Sequence, residues 1–376
     1  MEATDATFGK FKAGKYTSII LAKELLGLYL AMTALTFFAL CLGNVDIVID
    51  DIADVAKAAG DRIMEIYNAP DFAEKIIDPK ADGSPLTVAD LEANKIIVDG
   101  LKELYPSIPI ITEESKVAPY ETRKDWEYFF CVDPLDGTKE FIKRNGQFTV
   151  NIGLVEKESP IAGVVYCPAL DPPVMYKGNK FNADGSTGGP PVKEECDAVG
   201  GAAGYDSFKS IHSKKFSEED ENLILVASSS HNTPETDAFC AKYKNHKRIE
   251  RGSSLKLLMV AEGSAHIYPR FAGTYEWDTC AAQAIVECAG GKVLQKAGNP
   301  ELEECEPEKP VKYNKENLKN PFFVVYGNVV IRPKKAKKKK EVAFGEESKS
   351  GHPFTNPIVI VLVLLIAIGA GFLVMQ

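Results

Sequence analysis

The run Tyr128-Phe129-Phe130-Cys131-Val132 carries no charge, and Asp133-Pro134-Leu135-Asp136-Gly137-Thr138 follows it without a spacer. A short apolar run closed by turn residues reads as a buried strand. Proline is expected to end that strand, and Gly137 to supply the permissive backbone of a sharp turn. Any fold that obeys this presents two carboxylates and a hydroxyl together at the C-terminal mouth of one strand. Neighbouring carboxylates raise each other's pKa, and a cation between them removes the conflict. Ligands that are all oxygen, with no histidine or cysteine, suit a hard ion, Mg²⁺ above all.

The flanking segments switch between helical and strand periodicity. Ile52, Val55, Ala56, Ala59, Ile63 and Ile66 recur at helical spacing over residues 46–67. After the turn Lys80-Ala81-Asp82-Gly83-Ser84-Pro85, a second helix is expected from residue 86, with Ala89, Ala93, Ile96, Ile97 and Leu101 inward. Residues 109–112 read as a short strand ending at Glu113-Glu114, and 148–155 with 160–166 as a hairpin. Residues 177–222, rich in Gly, Pro, Ser and acids, are expected to be a surface insertion. Beyond them come a strand at 223–228, helices at 236–243 and after Gly252-Ser253-Ser254, a strand at 265–268 and a helix at 279–289. A strand at 292–294 and a closing strand pair at 321–331 follow. Mixed rather than strict strand–helix alternation implies layered α/β or α+β packing. The expected organisation is an N-terminal tail (1–45), a metal-binding α+β subdomain (46–225), a substrate subdomain (226–331), a basic linker (332–356) and a transmembrane segment (357–376).

A net charge of −9 gives the body no nucleic-acid footprint. No two of the eight cysteines stand at C-x-x-C spacing, so they read as small, reduced core residues and favour a reducing compartment. Asn232-Thr233-Pro234 does not form an N-x-[ST] acceptor, which argues against a lumenal body. Residues 358–375 form an apolar run of 18 residues and are read as a membrane span; residues 25–43 are read as a span, a signal-anchor or a packing helix. Arg332, Lys334, Lys335 and residues 337–340 form a basic cluster beside the C-terminal span. It reads as a solvated charge run, an anionic-lipid contact or a localisation signal. Positive charge there places the body on the cytosolic face as a C-terminal tail anchor. The lysines ahead of residues 25–43 point instead to a lumenal body.

Asp90, Glu113, Asp133, Asp136 and Asp278 all fall at expected strand ends or helix starts, where open sheets gather their ligands. Singly, each also suits a helix cap or a turn. Gly137-Thr138 can open a helix and seat a phosphate. The spacing D-x-x-D-G-T departs from the D-x-D-x-T signature of aspartyl-phosphate phosphatases, which disfavours Asp133 as a nucleophile. Neither a G-x-x-x-x-G-K-[ST] loop nor a G-x-S-x-G elbow occurs.

Asp133-Pro134-Leu135-Asp136-Gly137-Thr138-Lys139-Glu140-Phe141, Glu113-Glu114-Ser115 and Trp277-Asp278-Thr279-Cys280-Ala281-Ala282 together resemble the inositol monophosphatase superfamily. Lys139-Glu140-Phe141, Gly252-Ser253-Ser254-Leu255-Lys256 and Tyr268-Pro269-Arg270 look most like its 3'(2'),5'-bisphosphate nucleotidase branch of CysQ type. The resemblance covers residues 46–331 and leaves out both apolar segments and the basic cluster. It implies an αβαβα sandwich and a phosphatase acting on adenosine 3',5'-bisphosphate, and on its sulfated analogue, in sulfur metabolism. It further implies two or three Mg²⁺ ions held by Glu113, Asp133, the Leu135 carbonyl, Asp136 and Asp278, with Asp90 and Thr138 activating water. Gly137, Thr138, Ser230, His231, Ser254, Lys256, Arg270 and Asp278 are the implied substrate-side residues. Lys256 and Arg270 would meet the phosphate that is not cleaved; read alone, each is also an ordinary solvated residue. The alternatives are an inositol phosphate phosphatase and, in another class, a catalytically dead membrane-bound nucleotide sensor or scaffold.

Overall fold

The structure is a computed structural model and describes residues 47–330, apart from 78–79, 81–82, 84, 181–187, 197–204 and 300–304. Residues 25–43, the basic cluster and residues 357–376 lie outside the described residues, and so do the membrane readings that rest on them. Among the described residues no helix is long and apolar enough to cross a membrane.

Two helices begin the body: α1 (Ile49–Tyr67) and α2 (Val88–Leu104). A minor antiparallel pair, β1 (Ile76–Ile77) and β2 (Leu86–Thr87), lies between them in sequence. The main sheet takes its strands in chain order: β3 (Ile110–Thr112), β4 (Tyr128–Asp136), β5 (Thr149–Glu156), β6 (Ser159–Cys167), β7 (Val174–Asn179), β8 (Val192–Cys196) and β9 (Tyr205–Ser210). Only β3 and β4 run parallel; their connection carries the single-turn helix α3 (Tyr120–Arg123), and α4 (Thr138–Ile142) follows β4. The second sheet has the order β12 (Lys247–Arg251), β11 (Ile224–Ser228), β13 (Ile267–Arg270), β15 (Phe322–Tyr326), β14 (Lys292–Lys296). Helices α5 (Pro234–Cys240), α6 (Leu255–Ala261) and α7 (Cys280–Cys288) complete the fold. Finally, β10 (Lys215–Phe216) pairs in parallel with β16 (Asn328–Val329).

Period-2 alternation along β4 explains the layering. Phe130 and Val132 join the core formed with Ile52, Ile63 and Ile97 of α1 and α2. Phe129 and Cys131 point the other way, into the core shared with Leu257 and Leu258 of α6, Ile285 of α7, and Val325. The far face of the second sheet packs Leu225, Ile267 and Val324 against Phe239 and Cys240 of α5. Helix, sheet, helix, sheet and helix therefore succeed one another, which is an α+β layering. A strand buried on both faces reads as a continuous apolar run, and β4 does.

Three expectations need correction. Proline does not end β4. The strand continues to Asp136, with Asp133 opposite Asn151 and Asp136 opposite Thr149, so β4 carries one extra residue. That is a β-bulge, a place where a residue without a backbone N–H costs no ladder bond. Residues 177–222 are not simply an insertion: β8 and β9 extend the main sheet beyond β7. In β8 a charged, half-exposed sequence hides the strand pattern. The closing strands do not pair with each other either. β15 lies between β13 and β14, and β16 joins β10.

Helix α7 reaches the main sheet through glycine. Gly153 and Gly163 are cross-strand partners on β5 and β6. A Cβ at Gly163 would stand 2.1 Å from the Ala281 carbonyl oxygen, and one at Gly153 would stand 2.4 Å from the Cys280 sulfur. Side chains there would push the helix off the sheet, and with it Asp278, two residues before its first turn.

Candidate active site

The parallel pair β3 and β4 sets the first two acids side by side. Glu113 follows the last residue of β3, and its backbone N–H donates to the Val132 carbonyl at 3.2 Å. Asp133 is the next residue on β4. The start of α7 brings Asp278 in from the other side. One carboxylate oxygen from each of Glu113, Asp133 and Asp278 lies within 4.8 Å of the others. Asp133 is buried. Burial, then the charges of Glu113, Asp136 and Asp278, pushes its pKa well above the usual carboxylate range. Burial followed by Asp136 and Glu113 raises Asp278 to about 7, although the Tyr275 N–H donates to its Oδ2 at 2.8 Å. Burial also raises Glu113, against the pull of Lys80.

Like charges this close carry a positional cost that a divalent cation would remove. Three convergent oxygens with no soft donor fit a hard ion of the Mg²⁺ class. The Lys80 ammonium donates to Glu113 at 2.7 Å and also contacts Glu114, so part of the demand for positive charge is met by protein.

Asp136 plays a different part from the other acids. Its Oδ2 accepts from Ser253 Oγ at 2.8 Å, Ser254 N at 2.6 Å, Ser254 Oγ at 2.8 Å and Asn151 Nδ2 at 3.3 Å. Its Oδ1 is the oxygen left uncommitted among the described residues. This knot explains the backbone of Ser253, held at φ 52° just ahead of α6, because both serines must turn to one oxygen. Gly137 needs its positive φ of 96° to pass from the bulge into α4. A Cβ there would stand 3.1 Å from the Gln147 carbonyl oxygen.

Asp90 serves both readings open to it. It caps α2, with Thr87 N and Thr87 Oγ1 donating to its Oδ2 at 2.8 and 2.5 Å. Its Oδ1 accepts from Thr138 Oγ1 at 3.0 Å. Burial lifts its pKa to about 6 despite those donors. The Thr138 hydroxyl lies 3.4 Å from the Leu135 carbonyl oxygen.

A cleft of about 260 Å³ gathers Glu113, Asp133, Leu135, Asp136, Gly137, Thr138 and Asp278 with Lys139, His231, Lys256 and Arg270. Asp90, Ser230 and Ser254 do not line it. Asp90 reaches it through Thr138. Ser230 donates to Glu140 at 2.6 Å, and Ser254 is buried beneath Asp136. Lys256 and Arg270 are both buried rather than solvated. Burial, with Arg270 adding to it against the pull of Asp136, lowers the Lys256 pKa to about 8. Lys256 donates to the Ser253 carbonyl, Arg270 Nη2 donates to the Gly273 carbonyl at 2.9 Å, and Arg270 Nε has no partner among the described residues. Lys139 Nζ lies 3.0 Å from His231 Nε2.

Lys80 and Asn151 carry no sequence mark as site residues, and Lys139 and Ser253 lie inside the quoted motifs without a role assigned to them. The Gly-Ser-Ser turn before Lys256 was the one available signal for Ser253. Lys80 sits in a turn with nothing local to mark it.

Comparison with known proteins identifies the family. The inositol monophosphatase family model matches residues 46–341. The chain is 38% identical over 252 residues to the 3'(2'),5'-bisphosphate nucleotidase CysQ of Escherichia coli, covering 67% of this chain and 92% of the relative. It is 42% identical over 250 residues to the nucleotidase of that name from Buchnera aphidicola, covering 66% and 85%. The crystal structure of CysQ from Bacteroides thetaiotaomicron is similar at a TM-score of 0.59 and 39% identity, covering 74% of this chain and 97% of that one. The chain belongs to the inositol monophosphatase family.

Proposed function

We propose that the protein is a Mg²⁺-dependent phosphatase that hydrolyses adenosine 3',5'-bisphosphate to AMP and phosphate, and also acts on its sulfated analogue, in sulfur metabolism. The observation that carries this reading is one cleft lined both by a three-acid cluster and by the cations Lys256, Arg270 and Lys139. A monoester with a single phosphate needs only the acids and their metal. A second phosphate needs fixed positive charge of its own. The similarity to CysQ nucleotidases supports the same choice over an inositol phosphate.

Glu113, Asp133, Asp278, the free oxygen of Asp136 and the Leu135 carbonyl would hold the metal. When bound, the metal supplies Lewis-acid stabilisation of charge on the phosphoryl oxygens and lowers the pKa of water. The protein's own part is to place and deprotonate that water. Thr138 donates its hydroxyl hydrogen to Asp90, so its lone pairs are left to accept from a water in the cleft. As the water attacks phosphorus, its proton passes to Thr138 Oγ1 while the Thr138 proton passes to Asp90. A carboxylate with a pKa of about 6 is a better acceptor than an ordinary aspartate. The P–O bond to the ribose oxygen breaks, that oxygen takes a proton from solvent water to give AMP, and Asp90 returns its proton to solvent. Lys256 and Arg270 hold the other phosphate.

We also propose that the body lies on the cytosolic face of a membrane, tethered by residues 357–376, with the basic cluster against anionic lipid. Protease access to each terminus in intact vesicles tests that placement. The catalytic reading predicts Mg²⁺-dependent phosphate release from adenosine 3',5'-bisphosphate that disappears in Asp133→Asn. Unchanged release in that variant would sink the mechanism.

A further inference from the structure

Glu276 has no exposed surface and lies two residues before Asp278, and the chemistry above gives it no task. Its carboxylate is nonetheless fully engaged. Oε2 accepts from the Asn314 N–H at 2.7 Å, and Oε1 accepts from the Lys315 N–H at 3.0 Å and from the Lys315 ammonium at 2.6 Å. Asn314 then reaches across the fold. Arg123 Nη1 donates to its Oδ1 at 2.8 Å, and its Nδ2 donates to the Arg123 carbonyl at 2.6 Å. Arg123 Nη2 also donates to the Glu316 carbonyl at 2.9 Å.

Arg123 is in the connection between β3 and β4. That connection has Glu113 at one end and leads through β4 to Asp133 at the other. One buried chain of bonds therefore joins the segment bearing Asp278 to the segment that bears the other two acids of the cluster. Asn320 adds a second set of ties on the Asp278 side. Its backbone N–H donates to the Thr274 carbonyl at 2.8 Å, and its Nδ2 donates to the Tyr275 carbonyl at 2.6 Å and to Thr279 Oγ1 at 3.0 Å. The Glu276 N–H donates to the Leu318 carbonyl at 2.9 Å. The loop 313–320 thus fastens residues 274–279 on both sides of Asp278.

From this arrangement we propose that Glu276 is a positioning residue. Through Asn314 and Arg123 it fixes the distance of Asp278 from Glu113 and Asp133, and so sets the affinity of the three-acid cluster for a divalent cation. Three carboxylates within 4.8 Å repel one another, and their local donors, Lys80 to Glu113, Leu135 N–H to Asp133 and Tyr275 N–H to Asp278, each hold one acid without tying it to the others. Convergence has to come from the scaffold, and the Glu276 clamp is one buried connection that spans it, beside Ser254, whose hydroxyl donates to the Asp278 carbonyl at 3.1 Å and to Asp136 at 2.8 Å. Supporting residues around metal ligands typically change affinity by about 10–100-fold when altered.

The inference rests on the metal site proposed above and not on the ester that is cleaved, so metal binding is measured directly. Mg²⁺ and Mn²⁺ are titrated calorimetrically into the whole protein and into Glu276→Gln, which keeps the volume but cannot accept from both N–H groups and the ammonium. The expected result is a rise in Kd of about tenfold or more, with the half-saturating Mg²⁺ for phosphate release rising in step. The nucleotide KM at saturating Mg²⁺ should stay as in the unaltered protein. Lys57→Met, which breaks a buried ion pair at 2.8 Å to Asp61 on α1, is the control for lost stability alone and should leave the metal Kd unchanged. If Glu276→Gln does not fold, Asn320→Ser, a smaller lesion of the same loop, decides the matter by the same titration. A folded Glu276→Gln or Asn320→Ser that melts earlier yet binds Mg²⁺ as tightly as the unaltered protein overturns the proposal. Failure of the unaltered protein to hydrolyse a bisphosphate nucleotide, with the Kd shift intact, would refute the substrate reading and leave the clamp standing.

Discussion

Replacing Thr138 by valine removes one hydroxyl and little volume. The structure separates what that hydroxyl does for folding from what it does for chemistry. Asp90 holds three donors, Thr87 N at 2.8 Å, Thr87 Oγ1 at 2.5 Å and Thr138 Oγ1 at 3.0 Å, and the variant keeps the first two. Losing one net hydrogen bond from a carboxylate that retains its cap costs about 1 kcal/mol. In a domain of this size that corresponds to a fall in Tm of about 2–4 °C. The catalytic loss is expected to be larger. With the relay cut, the attacking water has no acceptor in line with Asp90, and general-base assistance is worth about 10²–10⁴-fold. That equals about 2.7–5.4 kcal/mol of barrier. Steady-state phosphate release at saturating Mg²⁺, with Tm measured alongside, should therefore show kcat falling by two orders of magnitude or more while KM holds, and Thr138→Ser should restore most of it. A Thr138→Val enzyme within about threefold of the original kcat would refute the relay.

Further outcomes follow from the same geometry. Asp90 must be ionised to accept a proton, so kcat/KM should fall with unit slope below about pH 6, and Asp90→Asn should lose that limb together with most of the rate. Because its folded pKa is raised from 3.8, Asp90 favours the folded state in acid, and that contribution is lost as pH rises through about 6; Asp90→Asn should weaken this dependence in urea titrations. Lys256 shows the opposite linkage: its folded pKa is lowered from 10.5 to about 8, so its contribution to stability is present above 10.5 and lost as pH falls through 8. Lys256→Met should therefore be no less stable at pH 7, yet raise KM for a bisphosphate nucleotide well above that for a monophosphate; equal KM changes for both would argue against a second phosphate site. Chelating divalent ions should lower Tm, and Mg²⁺ at 100 times its Kd should return about 2.7 kcal/mol of stability. Gly137→Ala places a side chain at φ 96° and 3.1 Å from the Gln147 carbonyl, and should lower both Tm and Mg²⁺ affinity.

The acids were readable because they are local events in the chain. Asp133 and Asp136 close an apolar run, Glu113 ends another, and Asp278 precedes a helix. Strand ends and helix starts are where a sheet edge collects side chains, so position along the chain carried information about position in space. The bulge was not readable. Pro134 looks the same in a chain that stops at Asp133 and in one that continues with an extra residue, and only the register against Asn151 and Thr149 distinguishes them. Strand β8 was hidden for a similar reason, since a charged, half-exposed strand, Val-Lys-Glu-Glu-Cys, lacks the apolar alternation that marks a strand. Lys80, Ser253 and Glu276 act through partners 33, 117 and 39 residues away, and no spacing rule connects such pairs. Lys256 and Arg270 were marked as cations, but only the packing of β13 and α6 shows that both are buried.

In the proposed reaction one cleft handles two phosphates and releases one. The most direct measurement supplies the purified protein and Mg²⁺ with adenosine 3',5'-bisphosphate and, separately, inositol monophosphate, and follows phosphate and nucleotide products by chromatography. One phosphate and one AMP are expected per bisphosphate consumed, with a higher kcat/KM than for inositol monophosphate. A preference for inositol monophosphate, or adenosine as the first product, would contradict it.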